Sequence, residues 1–211
     1  MIDLLIIIPT YNEGKNLIDL LKKIKLEDKN WRIMIVDDSE NQITKNLIQN
    51  YKNNKISYIK RNKRMGRGNA IRYGFKYALE NKFDYIVEMD ADLSHNPSEI
   101  KILLNKLIIM KSDLVIGSRY LKASKIIAWP IKRKIFSKLC NFFARCLFGF
   151  GVTDYTNGFR VYNSKAIKEI IKYNIINNGF MYLTETLLIL KNKNCIIIEQ
   201  PTIFINRKTG S

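Results

Sequence analysis

Apolar runs and amphipathic segments alternate over the first 120 residues of the chain. Five short apolar runs predict strands, at residues 4–8, 31–36, 56–59, 85–89 and 114–117. Between these runs, apolar residues recur at i, i+3, i+4 and i+7, which is the spacing of one helix face. The last of these helices has a clear predicted start, with Asn96 as its cap and Pro97 at its first position. The alternation predicts an α/β fold with a mostly parallel sheet flanked by helices.

The alternation lapses after residue 121. Residues 131–150 predict one long helix that carries apolar residues on one side and several lysines and arginines between them. A basic amphipathic helix rich in phenylalanine is typical of a helix that lies in a membrane interface. The alternative is an ordinary helix whose phenylalanines belong to the core. Helices near 165–173 and 181–191 and a strand at 196–198 follow, and with no linker or repeat the pattern predicts a single domain over 1–211.

The chain is strongly basic. It has 36 Lys and Arg against 19 Asp and Glu, a formal net charge of +17. A nucleic-acid-binding module would explain this excess, but so would a composition bias that raises Lys, Asn and Ile together. The basic cluster at residues 60–64 contains no aromatic residue, although single-strand binding surfaces interleave the two types. We therefore expect no nucleic-acid partner and keep this module as an alternative from a different class.

Three cysteines are too few and too scattered for a disulfide framework or a cysteine-based zinc site. The first apolar run is too short for a signal peptide, and charged residues interrupt the longest later one. These features predict a protein of the reducing cytoplasm that is soluble or peripheral to a membrane.

Acidic and polar residues follow the predicted strands. Because ligands of parallel sheets bind beyond the carboxyl ends of the strands, residues 9–13, 37–39, 90–92 and 118–119 are expected to form one crevice. Asp90 and Asp92 flank a single alanine, and two such carboxylates can hold Mg²⁺ or Mn²⁺ together with substrate phosphates. The alternative is a solvated turn, and the metal interpretation relies on the absence of a nearby counter-charge in the sequence.

Other chemistries find little support. The Gly-rich turn of dinucleotide-binding enzymes is missing after the first strand, and the Gly66–Gly68 pair does not follow a strand directly, which argues against hydride transfer. A sugar-1-phosphate nucleotidyltransferase would also need a Gly-rich opening loop, where residues 9–13 stand instead. His95 is the one histidine, and we interpret it as structural, so no catalytic triad is expected.

Several motifs in chain order resemble the family 2 glycosyltransferases of the GT-A fold, most closely the dolichyl-phosphate and polyprenyl-phosphate mannose synthases. The segments that carry the resemblance are 9–13, 36–39, 66–70, 89–95, 117–120, 132–135, 154–162 and 206–211. The resemblance covers essentially the whole chain. Leu183 departs from it, because relatives often carry Gln there, and the chain stops at Ser211, before a lysine that usually follows, so the loop that closes over the donor is expected to be incomplete.

The resemblance implies a set of site residues. Those that match nucleotide-sugar-binding positions are Pro9, Tyr11, Glu13, Val36, Asp38, Asp90, Ala91 and Arg207. Asp90 and Asp92 match the metal site, and Arg119, Arg133 and Ser137 match the residues that receive the acceptor phosphate. Asp92, Arg119 and Arg133 are the implied catalytic residues.

The implied reaction is the inverting, metal-dependent transfer of a hexose to dolichyl or polyprenyl phosphate. GDP-mannose is the preferred donor, and a UDP-sugar such as UDP-glucose remains the alternative. A lipid phosphate is already ionised at pH 7, so the lack of an evident general base is expected. The resemblance also implies action at the cytosolic face of a membrane, and it admits a membrane-anchoring subunit as a partner.

Overall fold

A central sheet organises the protein. The computed structural model describes residues 2–51, 53–61, 63–149, 151–173 and 177–206. The strands are β1 Leu4–Thr10, β2 Arg32–Asp37, β3 Ile56–Lys60, β4 Tyr85–Glu88, β5 Leu114–Ser118, β6 Lys125–Ile127, β7 Arg160–Asn163, β8 Ile197–Pro201 and β9 Ile203–Ile205. Seven of them form one sheet in the order β3-β2-β1-β4-β7-β5-β8, while β6 and β9 pair separately. All neighbours in the large sheet are parallel except β7, which is antiparallel to both β4 and β5. The predicted mostly parallel sheet is confirmed.

Helices cover both faces of this sheet. They are α1 Gly14–Glu27, α2 Ile43–Tyr51, α3 Arg67–Glu80, α4 Glu99–Ile109, α5 Ile131–Phe148, α6 Ser164–Lys172 and α7 Tyr182–Asn192. Alternate residues of β1 enter two different cores: Leu5 and Ile7 belong to the one that includes residues of α3, α6 and α7, and Ile6 belongs to the one that includes residues of α1 and α4. A strand buried on both faces explains the unbroken apolar run at the start of the chain.

The start of α4 differs from the prediction. The helix begins at Glu99, with Ser98 in the cap position, rather than at Pro97. The Asn96 side chain accepts a hydrogen bond from Ser98 N at 3.2 Å, and the Asn96 carbonyl accepts one from Glu99 N at 3.0 Å. Asn96 therefore closes a turn that precedes the helix instead of capping the helix itself.

Helix α5 lies on the outside of the fold. Asn141 is its one buried residue. Phe136, Phe142 and Phe143 are 70%, 59% and 60% exposed, so the alternative interpretation, in which these rings belong to the core, is wrong. The helix ends at Phe148 with Gly149 in the left-handed region, and residue 150, included in the predicted helix, lies outside the described residues. None of the helices described here combines the length and apolar character needed to cross a bilayer.

The glycines at the start of α3 serve packing. Gly66 has a φ of 88°, and a Cβ there would overlap the carbonyl oxygen of Asn178. Gly68 N donates a hydrogen bond to the same oxygen at 2.8 Å. The segment around Asn178 thus lies directly on the first turn of α3, and both glycines permit that close approach.

Candidate active site

One cleft of about 520 Å³ lies where the carboxyl ends of β1, β2, β4 and β5 meet. The predicted site residues that line it are Pro9, Tyr11, Glu13, Val36, Asp38, Asp90, Ala91, Asp92, Arg119 and Arg133. Ser137 does not line it, and Arg207 lies outside the described residues. The topology therefore brings together residues that are up to 124 positions apart in the sequence.

The wall after β1 and β2 is built around Tyr11 and Asp38. The guanidinium of Arg64 lies 4.4 Å from the centre of the Tyr11 ring. Asp38 forms a two-pronged ion pair with Arg61 and also accepts hydrogen bonds from the backbone N–H groups of Met65 at 3.0 Å and Gly66 at 3.1 Å. Asp38 therefore fixes the segment that leads into α3, a role that the sequence did not indicate.

Asp90 has a buried counter-charge, and the expectation that it lacks one is wrong. Arg67 Nε donates to Asp90 Oδ1 at 2.8 Å, and Nη2 lies 2.7 Å from the same oxygen. Arg67 Nη1 also contacts Glu88 and the Tyr182 hydroxyl. Burial by itself raises the pKa of Asp90, but Arg67 and other nearby groups, Arg119 among them, together outweigh it and the pKa is lowered. The pKa of Glu88, which is completely buried, is raised by that burial although Arg67 opposes the change.

The remaining oxygens of Asp90 and Asp92 fit a divalent cation that substrate phosphates help to hold. Asp92 Oδ1 accepts a hydrogen bond from Ser94 N at 3.0 Å. Oδ2 of Asp90 and Oδ2 of Asp92 have no hydrogen-bond partner among the described residues, and both side chains line the cleft. Within the same residues, no three His, Cys, Asp or Glu side chains are grouped to hold a metal. Mg²⁺ often binds through one or two carboxylates plus phosphates, so this donor set is sufficient only with a nucleotide present.

His95 is structural, as predicted. Its Nδ1 accepts a hydrogen bond from Asp90 N at 3.3 Å, and its Nε2 pairs with Asn157 Oδ1 at 3.1 Å. The ring stacks on Phe159 with 5.0 Å between the ring centroids. His95 is buried and both its nitrogens are engaged, so its role is to hold the turn that carries Asp90.

Arg119 also lines the cleft, and its guanidinium is held by several hydrogen bonds. Its Nε donates to Asp154 Oδ2 at 2.7 Å and its Nη2 donates to Asp154 Oδ1 at 2.8 Å. Nη2 also donates to Thr156 Oγ1 at 2.7 Å. Burial raises the pKa of Asp154, but Arg119 outweighs it and the pKa is lowered. The Nη1 group of Arg119 has no hydrogen bond within the described part of the chain, so it is available to a ligand in the cleft.

Arg133 reaches the cleft from the first turn of α5. Its guanidinium lies 4.3 Å from the Trp129 ring centroid, and its Nη1 donates to Asn206 Oδ1 at 2.8 Å. Ser137, one turn further along the helix, accepts a hydrogen bond from the Tyr120 hydroxyl at 2.6 Å instead of facing the cleft. The structure therefore brings Arg119 and Arg133 together and leaves Ser137 apart.

Sequence reasoning gave no role to Arg67, Asp154 or Trp129. Asp154 is 35 residues from the arginine that it holds, and Arg67 is 23 residues from Asp90, so no local spacing connects either pair. Arg67 stands between two glycines that packing requires, and Asp154 opens a segment of polar and aromatic residues. Those two local signals identify the segments that contain Arg67 and Asp154, but not the residues with which the two side chains pair.

Comparisons with known proteins show similarity over most of the chain. The sequence model of the family described as "Glycosyl transferase family 2" matches residues 5–171. The chain is 31% identical to a polyprenol monophosphomannose synthase of Mycolicibacterium smegmatis, over 98% of this chain and 78% of that protein. It is also 31% identical to an undecaprenyl-phosphate mannosyltransferase of Micrococcus luteus, over 98% of this chain and 85% of that protein.

Solved structures share the fold. The crystal structure of glucosyl-3-phosphoglycerate synthase from Mycobacterium tuberculosis in complex with Mn²⁺, UDP and phosphoglyceric acid superposes with a TM-score of 0.74. The match covers 99% of this chain and 71% of that one at 13% identity. Identity this low supports the fold alone, and the fold is that of a GT-A glycosyltransferase.

Proposed function

The chain belongs to glycosyl transferase family 2, and from this premise we propose that it transfers mannose from GDP-mannose to the phosphate of a polyprenyl or dolichyl lipid. One observation carries the proposal: a single cleft is lined by two carboxylates, Asp90 and Asp92, and by two arginines, Arg119 and Arg133. The first pair suits a metal-bound diphosphate and the second suits a phosphate monoester. The names of the two curated relatives, both lipid-phosphate mannose enzymes, support the same substrates.

The nucleotide sugar would bind along the wall after β1 and β2. In this proposal Pro9, Tyr11, Glu13, Val36 and Asp38 contact the nucleoside, and its diphosphate extends toward Asp90, Ala91 and Asp92. Asp90 and Asp92 would hold Mg²⁺ or Mn²⁺ through their free oxygens. When bound, that ion would supply neutralisation of the charge on the departing nucleoside diphosphate. Arg207 would contact the donor from the segment that follows Asn206.

The acceptor phosphate would bind between Arg119 and Arg133. A guanidinium presents donors in a planar fork that matches phosphate oxygens, and Arg119 is fixed in advance by Asp154. A phosphate oxygen would attack the anomeric carbon from the side opposite the diphosphate. The bond from that carbon to the diphosphate oxygen breaks as the new bond forms, and the configuration inverts. Because the phosphate is already ionised, no side chain has to remove a proton.

The position of α5 supports peripheral association with a membrane, and the proposal places the protein at the cytosolic face. Its outward side carries the exposed apolar residues Ile131, Ile135, Phe136, Leu139, Phe142, Phe143 and Leu147. Exposed apolar surface of this extent on a basic helix is typical of helices that lie in the headgroup region. Arg133 is on the same helix, so a bilayer under α5 would bring the lipid phosphate to the cleft.

A donor panel tests this function. The purified protein is incubated with a short-chain polyprenyl phosphate, Mg²⁺ and either GDP-mannose, GDP-glucose, UDP-glucose or UDP-N-acetylglucosamine, and sugar in the extracted lipid is measured. We expect transfer from GDP-mannose to exceed transfer from every other donor. A preference for a UDP-sugar would replace the donor while retaining the acceptor, and no lipid product from any donor would overturn the proposal.

A further inference from the structure

Helix α5 has a second cationic region, away from the cleft. At 100° per residue, Lys138 and Arg145 fall on the same flank of the helix as Lys134, between its exposed apolar side and the buried Asn141. Arg133 falls on the opposite flank. The apolar side of α5 is therefore bordered by cations on both flanks, and only one of those flanks faces the cleft.

A small hollow lies beside Lys138 and Arg145. Its volume is about 210 Å³, and it is lined by Tyr120, Lys138, Asn141, Phe142, Arg145 and Thr153. None of these residues lines the larger cleft. The hollow is thus a separate feature, and it is smaller than the usual range of sites for drug-sized ligands.

The polar groups of this hollow are satisfied except for the two cations. The Tyr120 hydroxyl donates to Ser137 Oγ at 2.6 Å, and Asn141 Nδ2 donates to the Ser137 carbonyl at 2.9 Å. Thr153 Oγ1 donates to a carboxylate oxygen of Glu199 at 2.8 Å. That carboxylate also accepts hydrogen bonds from backbone N–H groups behind the hollow, so its oxygens are committed. Lys138 and Arg145 form no ion pair with any described residue.

We propose that this hollow binds the phosphate of an anionic phospholipid headgroup. The inference rests on the membrane association in the proposed function and adds a specific site to it. Phe142 contributes both to the hollow and to the exposed apolar side of α5, so a ligand in the hollow would have the acyl region directly beside it. Long cationic side chains at the border of an apolar face place their charges at headgroup level. A phospholipid phosphate fits this combination better than a free anion, which would gain nothing from the adjoining apolar face.

Occupation of the hollow would orient the enzyme. A bilayer contact made only through an apolar stripe leaves the whole protein free to rotate about the axis of α5 relative to the bilayer. A headgroup held between Lys138 and Arg145 on one flank would fix that rotation, and Arg133 on the other flank would then face the lipid phosphate that enters the cleft.

Vesicle binding with a charge-matched control tests the site. Full-length wild-type protein, the K138Q/R145Q variant and the K132Q/K134Q variant are titrated with phosphatidylcholine vesicles that contain or lack phosphatidylglycerol. Both variants lose two charges from the same helix, so long-range attraction alone predicts an equal loss of affinity for anionic vesicles. We expect both variants to lose affinity for the anionic vesicles through this shared electrostatic effect. We expect the affinity of K138Q/R145Q to be about tenfold lower still than that of K132Q/K134Q. Equal losses would overturn the site in favour of diffuse attraction.

Two further measurements separate the possible failures. Heteronuclear NMR with inorganic phosphate should leave the Lys138 and Arg145 signals unchanged, whereas short-chain phosphatidylglycerol should shift them. Shifts of equal size with inorganic phosphate would overturn the lipid assignment. Mannose transfer to a water-soluble polyprenyl phosphate without vesicles should be the same for K138Q/R145Q and wild type. If the wild type transfers mannose but binds no anionic vesicles, the headgroup site is refuted while the proposed reaction stands.

Discussion

The Arg67 guanidinium is bonded to the Asp90 carboxylate, with Nε 2.8 Å from Oδ1. The same guanidinium pairs with Glu88, which has no exposed surface. One cation thus compensates two carboxylates, Asp90 in the lining of the cleft and Glu88 buried beneath it. Gly158 makes room for it, because a Cβ at that position would overlap Arg67 Nη2.

Removal of Arg67 should therefore destabilise the fold. The R67M variant leaves the buried Glu88 and the partly exposed Asp90 with one cation fewer, and breaking a buried pair such as Arg67–Glu88 costs about 3–5 kcal/mol. Urea unfolding of R67M and of the exposed control R145M measures the free energy of unfolding. A loss below about 1 kcal/mol, the range of a surface pair, would contradict the assigned role of Arg67.

The two aspartates of the proposed metal site should respond differently to amidation. D92N removes a carboxylate whose one hydrogen bond is local, so we expect little change in stability but much weaker Mn²⁺ binding in the presence of GDP. D90N also removes the charged partner of Arg67, so it should lower both the free energy of unfolding and the affinity for Mn²⁺. Mn²⁺ titration followed by electron paramagnetic resonance, together with urea unfolding, separates these outcomes. Unchanged Mn²⁺ affinity in D92N would exclude Asp92 as a ligand.

The Arg119–Asp154 pair predicts an acid-sensitive contribution to stability. Since the pKa of Asp154 is lowered in the folded state, the folded protein binds fewer protons there than the unfolded chain does. The contribution is fully present above the ordinary aspartate pKa of about 4, and it is lost as the pH falls through the lower folded value. In D154N, the free energy of unfolding should be lower at pH 7 and should decrease less on acidification than in wild type. Parallel pH profiles of the two proteins would contradict this expectation.

Trp129 should influence the acceptor through Arg133. The Arg133 guanidinium lies 4.3 Å from the Trp129 ring centroid, and such a contact contributes about 0.5–2 kcal/mol depending on its exposure. We expect W129L to raise the KM for polyprenyl phosphate several-fold without a change in GDP affinity. W129F, which keeps an aromatic ring, should raise this KM less than W129L does. A purely structural role would instead weaken donor and acceptor alike, or would change neither.

Much of the fold was predictable because its signals are local. The strands before the cleft are buried on both faces and therefore appear as continuous apolar runs, and the residues that follow them reach one sheet edge by topology alone. Strand β7 escaped prediction because it begins with Arg160, which is fully buried. That side chain donates hydrogen bonds to the carbonyls of Asn157, Tyr155 and Leu183. A hydrophobic pattern in the sequence cannot indicate that an arginine is buried with such partners.

The sequence predicted most of the residues that line the cleft, but not the hydrogen bonds and ion pairs between them. Residues near the strand ends were expected in the crevice, and most of them line it. The pairing of Arg67 with Asp90 depends on the packing of α3 against the sheet, and no spacing in the sequence encodes it. Likewise, the pattern of α5 was compatible with either a core helix or an interfacial one, since only tertiary structure decides which side of a helix is covered.

The central claim is that a phosphate oxygen of a lipid attacks the sugar without a general base, and one comparison of acceptors tests it most directly. The protein is incubated with GDP-mannose, Mg²⁺ and either a short polyprenyl phosphate or the corresponding polyprenol, and both GDP release and mannose in the extracted lipid are followed. We expect one GDP to be released for each mannosyl lipid formed with the phosphate, and no transfer to the alcohol. Equal transfer to the alcohol, or GDP release that is independent of the phosphate, would contradict it.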